Sequence, residues 1–511
     1  TALSELMLQL QENPQDDALK AQIRALDLLA RRAYFTSQWQ IRTGGFLLFI
    51  SAMVLLISLK YISSLQRTWP DFGKEKLENS WETRLLGRRY ILYSGLALFI
   101  LAFFLGVFSE NRIGVSSKEI KVSFASEKEM KDNWPTFRGP EGIGIAYHTK
   151  VLTSWNGETG ENIKWKTSVP RPGLNSPIIW EKKIFMAGAD EEFQEVYCYD
   201  ADSGDLLWTT ELNDIAGSPE EAPDATQDTG YAAPTMATDG ERVFVIFATG
   251  DLACLSFDGD LLWSKNIGVP DNHYGHASSL FTFQDRLLIQ YDTNASRQIL
   301  ALHSATGEQI YATPRNDVQI SWASPVLVNT GPRIEFILSS NPFVISYDPE
   351  NGQEYWRVEC LDAEVGPSVA YSEGWIFAVN EYAVLAGIKL DETPHIAWKY
   401  EDDLSEASSP VAIRDLLFLA SSYGTVTCFS AHTGEVNWSH EFDDGFYSSP
   451  IVAGDNVFLM DRDGVVHVFK AAGQFESVAD NVLGEKADTI PAFMHDRIYI
   501  RGEEHLFCIG N

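Results

Sequence analysis

Five cysteines have the widest range of chemistry in this 511-residue chain, because a thiolate can attack carbon, bind zinc or form a disulfide. They are Cys198, Cys254, Cys360, Cys428 and Cys508. Their number is odd, they lie far apart, and the sequence holds no Cys-x-x-Cys pair. This spacing predicts neither a zinc cluster nor a disulfide framework.

Two histidines and one acidic turn are the other candidates for chemistry. His273 and His276 stand three residues apart in DNHYGHASS, without recognisable partner ligands, so we predict a polar lining role instead of a metal pair. The stretch Asp461–Gly464 (DRDG) has the composition of a hairpin turn. The motifs of serine hydrolases, zinc peptidases and P-loop proteins are missing from the sequence. The sequence predicts no catalytic residue, no metal site and no cofactor.

The elements around these residues repeat along the chain. A short phrase ending in an aromatic residue, for example YDADSGDLLW, returns at intervals of 37 to 55 residues. The eight aromatic endings are Trp165, Trp208, Trp263, Tyr311, Trp356, Trp398, Trp438 and Phe475. A second phrase lies between them and reads NSPII, AAPTM, ASSLF, ASPVL, GPSVA, SSPVA, SSPIV and IPAFM.

Each repeat unit contains four short apolar strands separated by Gly, Asp and Asn turns, which suit hairpins. Four-stranded units of this period predict a β-propeller, and the second phrase counts eight blades. The fold class is therefore all-β, an eight-bladed propeller of four-stranded blades, preceded by an α-helical region. The repeats begin with an outer strand at 163–170 and end with an inner-type strand at 505–510. We expect the first strand to complete the last blade and close the ring.

The eight aromatic endings are predicted to dock each blade on its neighbour. The Asp-x-x-Gly turn joins the third strand to the fourth, where Gly supplies a positive φ. The aromatic residue begins the outer strand, where its ring can bury on the order of 200 Å² against the next blade. Cys198, Cys254, Cys428 and Cys508 fall at one step of the third strand, so we predict small buried residues and not redox centres.

The residues just before each inner strand are predicted to line an axial funnel, where propeller geometry would place a small ligand. They are Asn175, Tyr231, His276, Trp322, Ser408 and Tyr447. The connection 211–231 is longer than the others, acidic, and contains Pro and Gly. Long loops are often functional or disordered, so this one is predicted either to contact a partner or to lack order.

The region before the propeller is predicted to hold a membrane anchor. Residues 44–62 and 90–108 are apolar runs of about 19 residues, enough to cross a hydrocarbon core of roughly 30 Å, so 44–109 is predicted as a transmembrane hairpin. The segment 63–89 between the runs carries six Lys or Arg, against four in the 22 residues before the first run. The positive-inside bias predicts a two-pass protein of the bacterial inner membrane with its propeller in the periplasm.

The remaining boundaries follow from composition. Residues 1–43 are predicted as an amphipathic helical segment, 110–132 as a linker and 133–511 as the propeller. The segment 1–43 either lies on the membrane or the propeller, or docks on another membrane subunit. The net charge is −32, and all of the excess of Asp and Glu over Lys and Arg lies after residue 109. The part of the chain that forms the propeller therefore repels nucleic acid and anionic lipid headgroups.

The repeated phrases resemble those of quinoprotein-type (PQQ-like) β-propellers, whose blades carry an Ala-x-Asp-x-x-Thr-Gly-x-x-x-Trp docking motif. The match covers 163–511 and is most specific at Trp208, Trp356 and Trp438. The lead-in NWPTFRGPEGIG is also similar to the segment that precedes such propellers. Because no catalytic features are inserted, the chain looks most like the BamB-type subset, propellers that scaffold membrane assemblies.

This resemblance implies a non-catalytic scaffold or accessory subunit of an inner-membrane complex. Its contacts with other subunits and with the bilayer would involve residues 1–43, the hairpin and the loop 211–231. The first alternative is a pyrroloquinoline-quinone dehydrogenase, which needs an adjacent Cys-Cys pair, a Glu/Asn calcium site and a catalytic Asp. The two nearest cysteines here are 56 residues apart, and no catalytic Asp can be assigned. The second alternative is a sensor that binds a glycan or peptide in the funnel.

Overall fold

The computed structural model describes the propeller region and a few positions before it. The described residues are 123–148, 150–294 and 296–511, together with Lys60, Arg88, Arg89 and Tyr93, which are helical. The predicted segment 1–43 and nearly all of the predicted hairpin lie outside the described residues. Within the described part of the chain, we find no helix of sufficient length and apolar character to cross a membrane.

Eight four-stranded antiparallel blades follow one another and form a propeller, and the sheet of blade 7 gains a fifth strand that pairs in parallel with its inner strand. Blade 1 consists of Ile178–Trp180, Lys183–Ala189, Gln194–Asp200 and Leu206–Glu211; blade 2 of Ala237–Thr238, Arg242–Ile246, Asp251–Ser256 and Leu261–Asn266; blade 3 of Phe281–Phe283, Arg286–Asp292, Arg297–His303 and Gln309–Pro314; blade 4 of Val326–Asn329, Ile334–Ser339, Phe343–Tyr347 and Glu354–Glu359.

The second half of the ring repeats this order. Blade 5 consists of Ala370–Ser372, Trp375–Asn380, Val384–Lys389 and His395–Tyr400; blade 6 of Val411–Ile413, Leu416–Ala420, Thr425–Ser430 and Val436–Glu441; blade 7 of Ile451–Ala453, Asn456–Met460, Val465–Lys470 and Ser477–Val482; blade 8 of Ala492–Met494, Arg497–Arg501, His505–Ile509 and Ile163–Ser168. The fold class predicted from the sequence is confirmed for the described residues.

The strands owe their positions to their hydrophobic patterns. The second and third strands of each blade are continuous apolar runs, such as Lys183–Ala189, and are buried on both faces between neighbouring blades. The fourth strands alternate between exposed and half-buried residues, as Leu206–Glu211 does, because one side faces solvent. The cores therefore lie between the sheets, one at each seam.

The ring is closed by the first and last strands of the repeat region. Ile163–Ser168 pairs antiparallel with His505–Ile509, so the outer strand of blade 8 comes from the start of the propeller. This confirms the closure predicted from the offset of the repeats. Without Ile163–Ser168, the third strand of blade 8 would keep a free edge that could pair with another chain.

Residues 133–146, here called the axial segment, run through the centre of the ring. Trp134 exchanges backbone hydrogen bonds with Ile179 of blade 1, at 3.0 and 2.8 Å, and its ring lies 5.6 Å from that of Phe493 of blade 8. Thr238 of blade 2 donates to the carbonyl of Pro135 at 3.0 Å. One short stretch thus ties three blades together.

The rest of the axial segment reaches the other five blades. Thr136 donates to the carbonyl that precedes the inner strand of blade 3, and Glu141 accepts from the inner strand of blade 4. Arg138 donates to carbonyls that precede the inner strands of blades 5 and 6. The two-residue strand Ile145–Ala146 pairs in parallel with Ile451–Ala453 of blade 7. The lead-in noted in the sequence is therefore the packing core of the ring axis.

A ring of hydroxyl groups surrounds this axis. In seven blades a buried Ser or Thr precedes the inner strand, and its hydroxyl accepts a hydrogen bond of 2.9–3.1 Å from the backbone N–H at the same step of the preceding blade. The hydroxyls belong to Ser176, Thr235, Ser279, Ser324, Ser368, Ser409 and Ser449. In blade 8 the position is Ile490, whose N–H donates to Ser176. The second repeated phrase of the sequence encodes this ring.

The chain enters the propeller at blade 2. A one-turn helix, Glu127–Lys131, is capped by Ser126, whose hydroxyl accepts from the backbone N–H of Glu129. The preceding residue, Ala125, donates to the carbonyl of Asp239 at 2.7 Å. Residues 123–132, which belong to the predicted linker 110–132, therefore pack on the propeller.

Six aromatic rings dock consecutive blades in the same way. Each donates its indole N–H or phenol O–H to a backbone carbonyl just after the third strand of the next blade, at 2.8–3.3 Å. The donors are Trp165, Trp208, Trp263, Tyr311, Trp398 and Trp438. The ring of Trp208 covers Gly259, where a β-carbon would lie 2.8 Å away and φ is +85°. The turn glycine is therefore needed for conformation and for room.

Two seams depart from this pattern. Trp356 occupies the docking register, but its N–H donates to the buried carboxylate of Glu335 in its own blade. The corresponding turn of the next blade, which reads DETP, contains no glycine. In blade 7 the docking register holds Ala479, opposite Val468. Phe475, assigned to this place from the sequence, lies in the preceding turn, and its ring packs 5.1 Å from that of Trp438.

Candidate functional site

The two faces of the ring differ in what they carry. Because successive strands in a blade are antiparallel, the connections between blades and the turns between second and third strands all lie on one face, here called the loop face. The longest connection on it, 211–231, contains six Asp or Glu and no Lys or Arg. The loop face therefore carries the longest connection between blades, and this connection is acidic.

Carboxylates and aromatic rings meet where the axis opens on the loop face. Burial, and then the negative charges of Glu364, Asp228 and Glu406, raise the pKa of Tyr274. The ring of Tyr274 stands edge-on to Trp322, with centroids 4.9 Å apart. These residues come from connections that lead into five different blades, from 2 to 6. We call this opening the axial mouth.

The other side of the axial mouth holds a cation. The guanidinium of Arg462 lies 4.0 Å from the centre of the Tyr447 ring and 3.3 Å from a carboxylate oxygen of Asp488. Burial and the charges of Glu406, Asp228 and Asp488 raise the pKa of Tyr447, although Arg462 opposes them. One guanidinium among four carboxylates leaves the mouth acidic, and such a surface attracts Lys and Arg side chains by charge and by cation–π contact.

The residues predicted to line the funnel fall into two groups. Tyr231, Trp322 and Tyr447 are half-buried on the loop face, and the last two belong to the axial mouth. Asn175, His276 and Ser408 are buried. Sequence reasoning missed Asp228, Glu364, Glu406 and Asp488. Each stands two to seven residues before its hydroxyl-ring position, so a wider window before each inner strand would have found them.

The buried residues of this set serve the scaffold. The amide of Asn175 donates to the carbonyls of Ala187 and Ala232 at 2.8 Å, and its oxygen accepts from the buried guanidinium of Arg501. His276 shares a hydrogen bond of 3.0 Å with the carbonyl of Gly268, and burial lowers its pKa to about 4. His273, three residues before it, is exposed.

The acidic loop 211–231 packs on blades 1 and 2. Ser218 donates to the carboxylate of Asp251 at 2.6 Å, and the carbonyl of Tyr231 accepts from Ala248 at 3.0 Å. Between the loop and the turn before Phe193 lies a cleft of about 740 Å³, lined by aromatic rings and by the carboxylates that follow Ala189. The loop thus adds a second concave surface to the loop face.

The cysteines do not fit a quinone site. Cys198, Cys254, Cys428 and Cys508 each lie opposite a docking tryptophan in the third strand of a different blade, as predicted. All five thiols are buried, and burial raises the pKa of Cys198 to about 12. Adjacent thiols above a cofactor, which the resemblance to quinoprotein dehydrogenases requires, are not available from separate blades. The axial segment also fills the ring centre.

The stretch Asp461–Gly464 forms the turn between the second and third strands of blade 7, as its composition predicts, with φ of +81° at Gly464. Asp461 also binds His467: its carboxylate lies 3.1 Å from Nε2, while Nδ1 lies 2.7 Å from the carboxylate of Asp480. Burial alone lowers the pKa of His467, but the hydrogen bonds and charges of the two carboxylates outweigh it and raise the pKa.

This pair of contacts predicts a pH-dependent stability. When folding raises the pKa of a histidine, the charged form stabilises the folded state. This stabilisation is complete at pH values below the pKa of the unfolded chain, about 6.5, and is lost as the pH rises through the pKa of the folded protein. We expect His467→Gln to cost about 1–2 kcal/mol near pH 5.5 and less near pH 9, because charged hydrogen bonds are the stronger ones. Urea unfolding at both pH values measures this. The control His432→Gln, exposed beside Asp415, should cost little at either pH, and a constant His467 effect would contradict the argument.

In one further cluster, the atoms that could bind a metal ion already take part in hydrogen bonds and ion pairs. Among the described residues, Glu485, Glu504 and His505 bring side-chain donor atoms within 4.8 Å of one another. The carboxylate of Glu485 accepts from the N–H groups of Glu504 and His505 and from Nδ1 of His505, and Lys166 lies 3.4 Å away. These contacts make it a structural ion-pair cluster.

Comparison with known proteins agrees with this geometry. A search of curated proteins finds no match. Among solved structures, BamB from Moraxella catarrhalis is similar with a TM-score of 0.51 and 16% identity, covering 68% of this chain and 99% of that one. The quinohemoprotein alcohol dehydrogenase from Comamonas testosteroni is similar with a TM-score of 0.57 and 11% identity, covering 75% and 81%. At these identities the likeness shows the fold alone.

The family comparison reaches further. The model of the family described as "Outer membrane protein assembly factor BamB" matches residues 142–324 and 389–474, more than half of the chain. The unmatched interval between them contains Trp356, whose seam lacks the usual turn glycine. The chain belongs to the outer membrane protein assembly factor BamB family.

Proposed function

We propose that the protein is a non-catalytic propeller that binds other proteins, as an accessory subunit of a bacterial inner-membrane complex. The observation that carries this proposal is the filled centre of the ring. The axial segment contacts the inner strands of all eight blades, so the ring centre is packed with the chain's own residues. What remains for binding is the outer surface: the axial mouth, the loop 211–231 and the blade rims.

The chemistry of the loop face supports binding over catalysis. Exposed carboxylates surround half-buried aromatic rings at the axial mouth, an arrangement that suits a partner surface carrying Lys or Arg. The described residues do not fit a quinone, because the five cysteines are buried in separate places. Membership of the BamB family, described as an assembly factor, agrees with a role in holding proteins together.

The membrane part of the proposal rests on the sequence. The two apolar runs at 44–62 and 90–108 would place the protein in the inner membrane, and the distribution of Lys and Arg would place the propeller in the periplasm. Protease treatment of spheroplasts measures this orientation. Cleavage of the propeller only after the membrane is permeabilised would contradict a periplasmic location.

Purification of the full chain from its native membrane in a mild detergent is the test of the function. We expect defined membrane subunits to co-purify in constant proportion, and a variant lacking residues 1–43 or with the loop 211–231 shortened to lose some of them. The matched control is the full chain given pyrroloquinoline quinone and Ca²⁺ in a dye-reduction assay. Dye reduction by alcohols or sugars, without co-purifying subunits, would overturn the proposal in favour of an oxidoreductase.

A further inference from the structure

Exposed apolar side chains are concentrated at the start of the outer strands in blades 1 to 3. We call this set the leucine rim, and its members are Leu206, Leu207, Leu261, Leu262 and Ile310, with exposed fractions of 40–49%. Blades 1 and 2 each expose two adjacent leucines because the strand has a bulge at this step. The pairing skips from Leu206 to Trp208 and from Leu261 to Trp263. A bulge turns two consecutive side chains away from the partner strand.

The leucine rim is confined to one side of the ring. At the same two steps, blade 4 has Glu354 and Tyr355, and Tyr355 is covered by the guanidinium of Arg333 at 4.2 Å. Blade 8 has Ile163 and Lys164, of which the isoleucine is half-buried. Blades 6 and 7 each expose one valine, Val436 or Val478. Only blades 1 to 3, among the described blades, present a run of large apolar groups across neighbouring strands.

The seams fix the turns that lead into the rim of blades 2 and 3. Trp208 of blade 1 covers Gly259 of blade 2, and Thr210 donates to the carbonyl of Gly259 at 2.7 Å. Trp263 of blade 2 covers Gly307 of blade 3 in the same way. The turns that lead into Leu261 and Ile310 are therefore fixed against the preceding blade.

An acidic residue stands next to each apolar group of the rim. Asp205 directly precedes Leu206, Asp260 precedes Leu261, and Glu308 lies two residues before Ile310. All three carboxylates are exposed, and none forms an ion pair within the described part of the chain. An apolar stripe bordered by unpaired negative charge is complementary to an apolar stripe bordered by Lys or Arg.

We propose that the leucine rim binds an amphipathic helix of a partner protein, with Leu, Ile or Phe on its buried stripe and Lys or Arg beside that stripe. The rim runs across the strands of adjacent blades, which suits a helix lying over them; a β-strand added to one edge would need apolar groups along a single strand. The flanking carboxylates disfavour an anionic lipid surface. This inference rests on the proposed function and names one of its contact surfaces.

A defined probe tests this surface. The full chain is placed in phosphatidylcholine nanodiscs, and fluorescence anisotropy follows a synthetic Leu/Lys amphipathic peptide of about 18 residues, five helical turns, with empty nanodiscs as the blank. We expect saturable binding that a scrambled peptide and a Leu/Glu counterpart do not show. Leu207→Ser with Leu262→Ser should weaken it roughly tenfold or more, because exposed apolar anchors dominate such contacts. Asp205→Asn with Asp260→Asn should weaken it and reduce its salt dependence.

The controls separate the rim from other surfaces. Val436→Ser with Val478→Ser removes apolar groups from the equivalent strand positions of blades 6 and 7, and binding should be unchanged. Equal peptide affinity for the Leu207/Leu262 variant and the unaltered protein would overturn the inference, as would equal binding of the Leu/Glu peptide. Phosphatidylcholine vesicles that displace the peptide from the rim would identify a membrane surface instead. If subunits co-purify but the peptide does not bind, the inference about the leucine rim is wrong and the proposed function is retained. If no subunit co-purifies, the proposed function is wrong.

Discussion

Replacing Arg138 by Met is expected to lower the free energy of unfolding by about 3–5 kcal/mol, the cost of several buried acceptors left without donors. Arg138 is 1% exposed, and its guanidinium donates to the carbonyls of Ile143, Val369 and Pro410. Burial lowers its pKa to about 9, and no carboxylate contributes to that shift. The side chain acts as a set of directed donors at the ring centre, which Met cannot supply.

Urea unfolding of the full chain in mild detergent, followed by tryptophan fluorescence, measures this loss. The control is Arg462→Met on the loop face, where the guanidinium is exposed and its ion pair with Asp488 is partly solvated. Pairs of that kind contribute about 0–1 kcal/mol, so the control should lie in that range. Equal losses for the two variants would show that the axial segment does not hold the ring together.

Trp208→Ala is expected to cost about 3–5 kcal/mol, as for other large aromatic truncations in cores. The ring lies between blades 1 and 2, 6.0 Å from the ring of Phe185, and its N–H donates to the carbonyl of Phe257 at 3.0 Å. Trp208→Phe keeps most of the apolar contact but loses the hydrogen bond, so its cost should be about 1–2 kcal/mol.

The same unfolding measurement tests this ordering. Tyr382→Ala removes a ring that is 79% exposed, and exposed substitutions of this kind usually stay within about 0.5 kcal/mol. A Trp208→Ala variant as stable as Tyr382→Ala would mean that blade docking does not depend on the repeated aromatic residue, and the structural meaning assigned to the repeat would fail.

The architecture was readable from the sequence because its determinants are local and repeated. Strand patterns recur in every unit, turn glycines and docking aromatics recur in most of them, and the outer strand at 163–170 without a preceding blade signals ring closure. The error at Phe475 shows the limit of phrase matching. Its turn resembles the others, but the backbone pairing sets the docking step four residues later, at Ala479.

The candidate site was less readable because its contacts join distant parts of the chain. Asn175 looks like a loop residue, yet it is buried by Arg501, 326 residues away. Arg138 binds carbonyls 231 and 272 residues further on. The carboxylates of the axial mouth occupy different steps before each inner strand, so no spacing relates them, and only the ring brings them together.

The pairing of Ile163–Ser168 with His505–Ile509 has a consequence for synthesis of the protein. The first strand of the repeat region is synthesised about 340 residues before the strand with which it pairs. A chain cut short anywhere in that interval keeps an unpaired strand and an open seam, both accessible to proteases. The joined sheet thus allows quality control to recognise incomplete chains, since only a polypeptide translated through Ile509 can hide that edge.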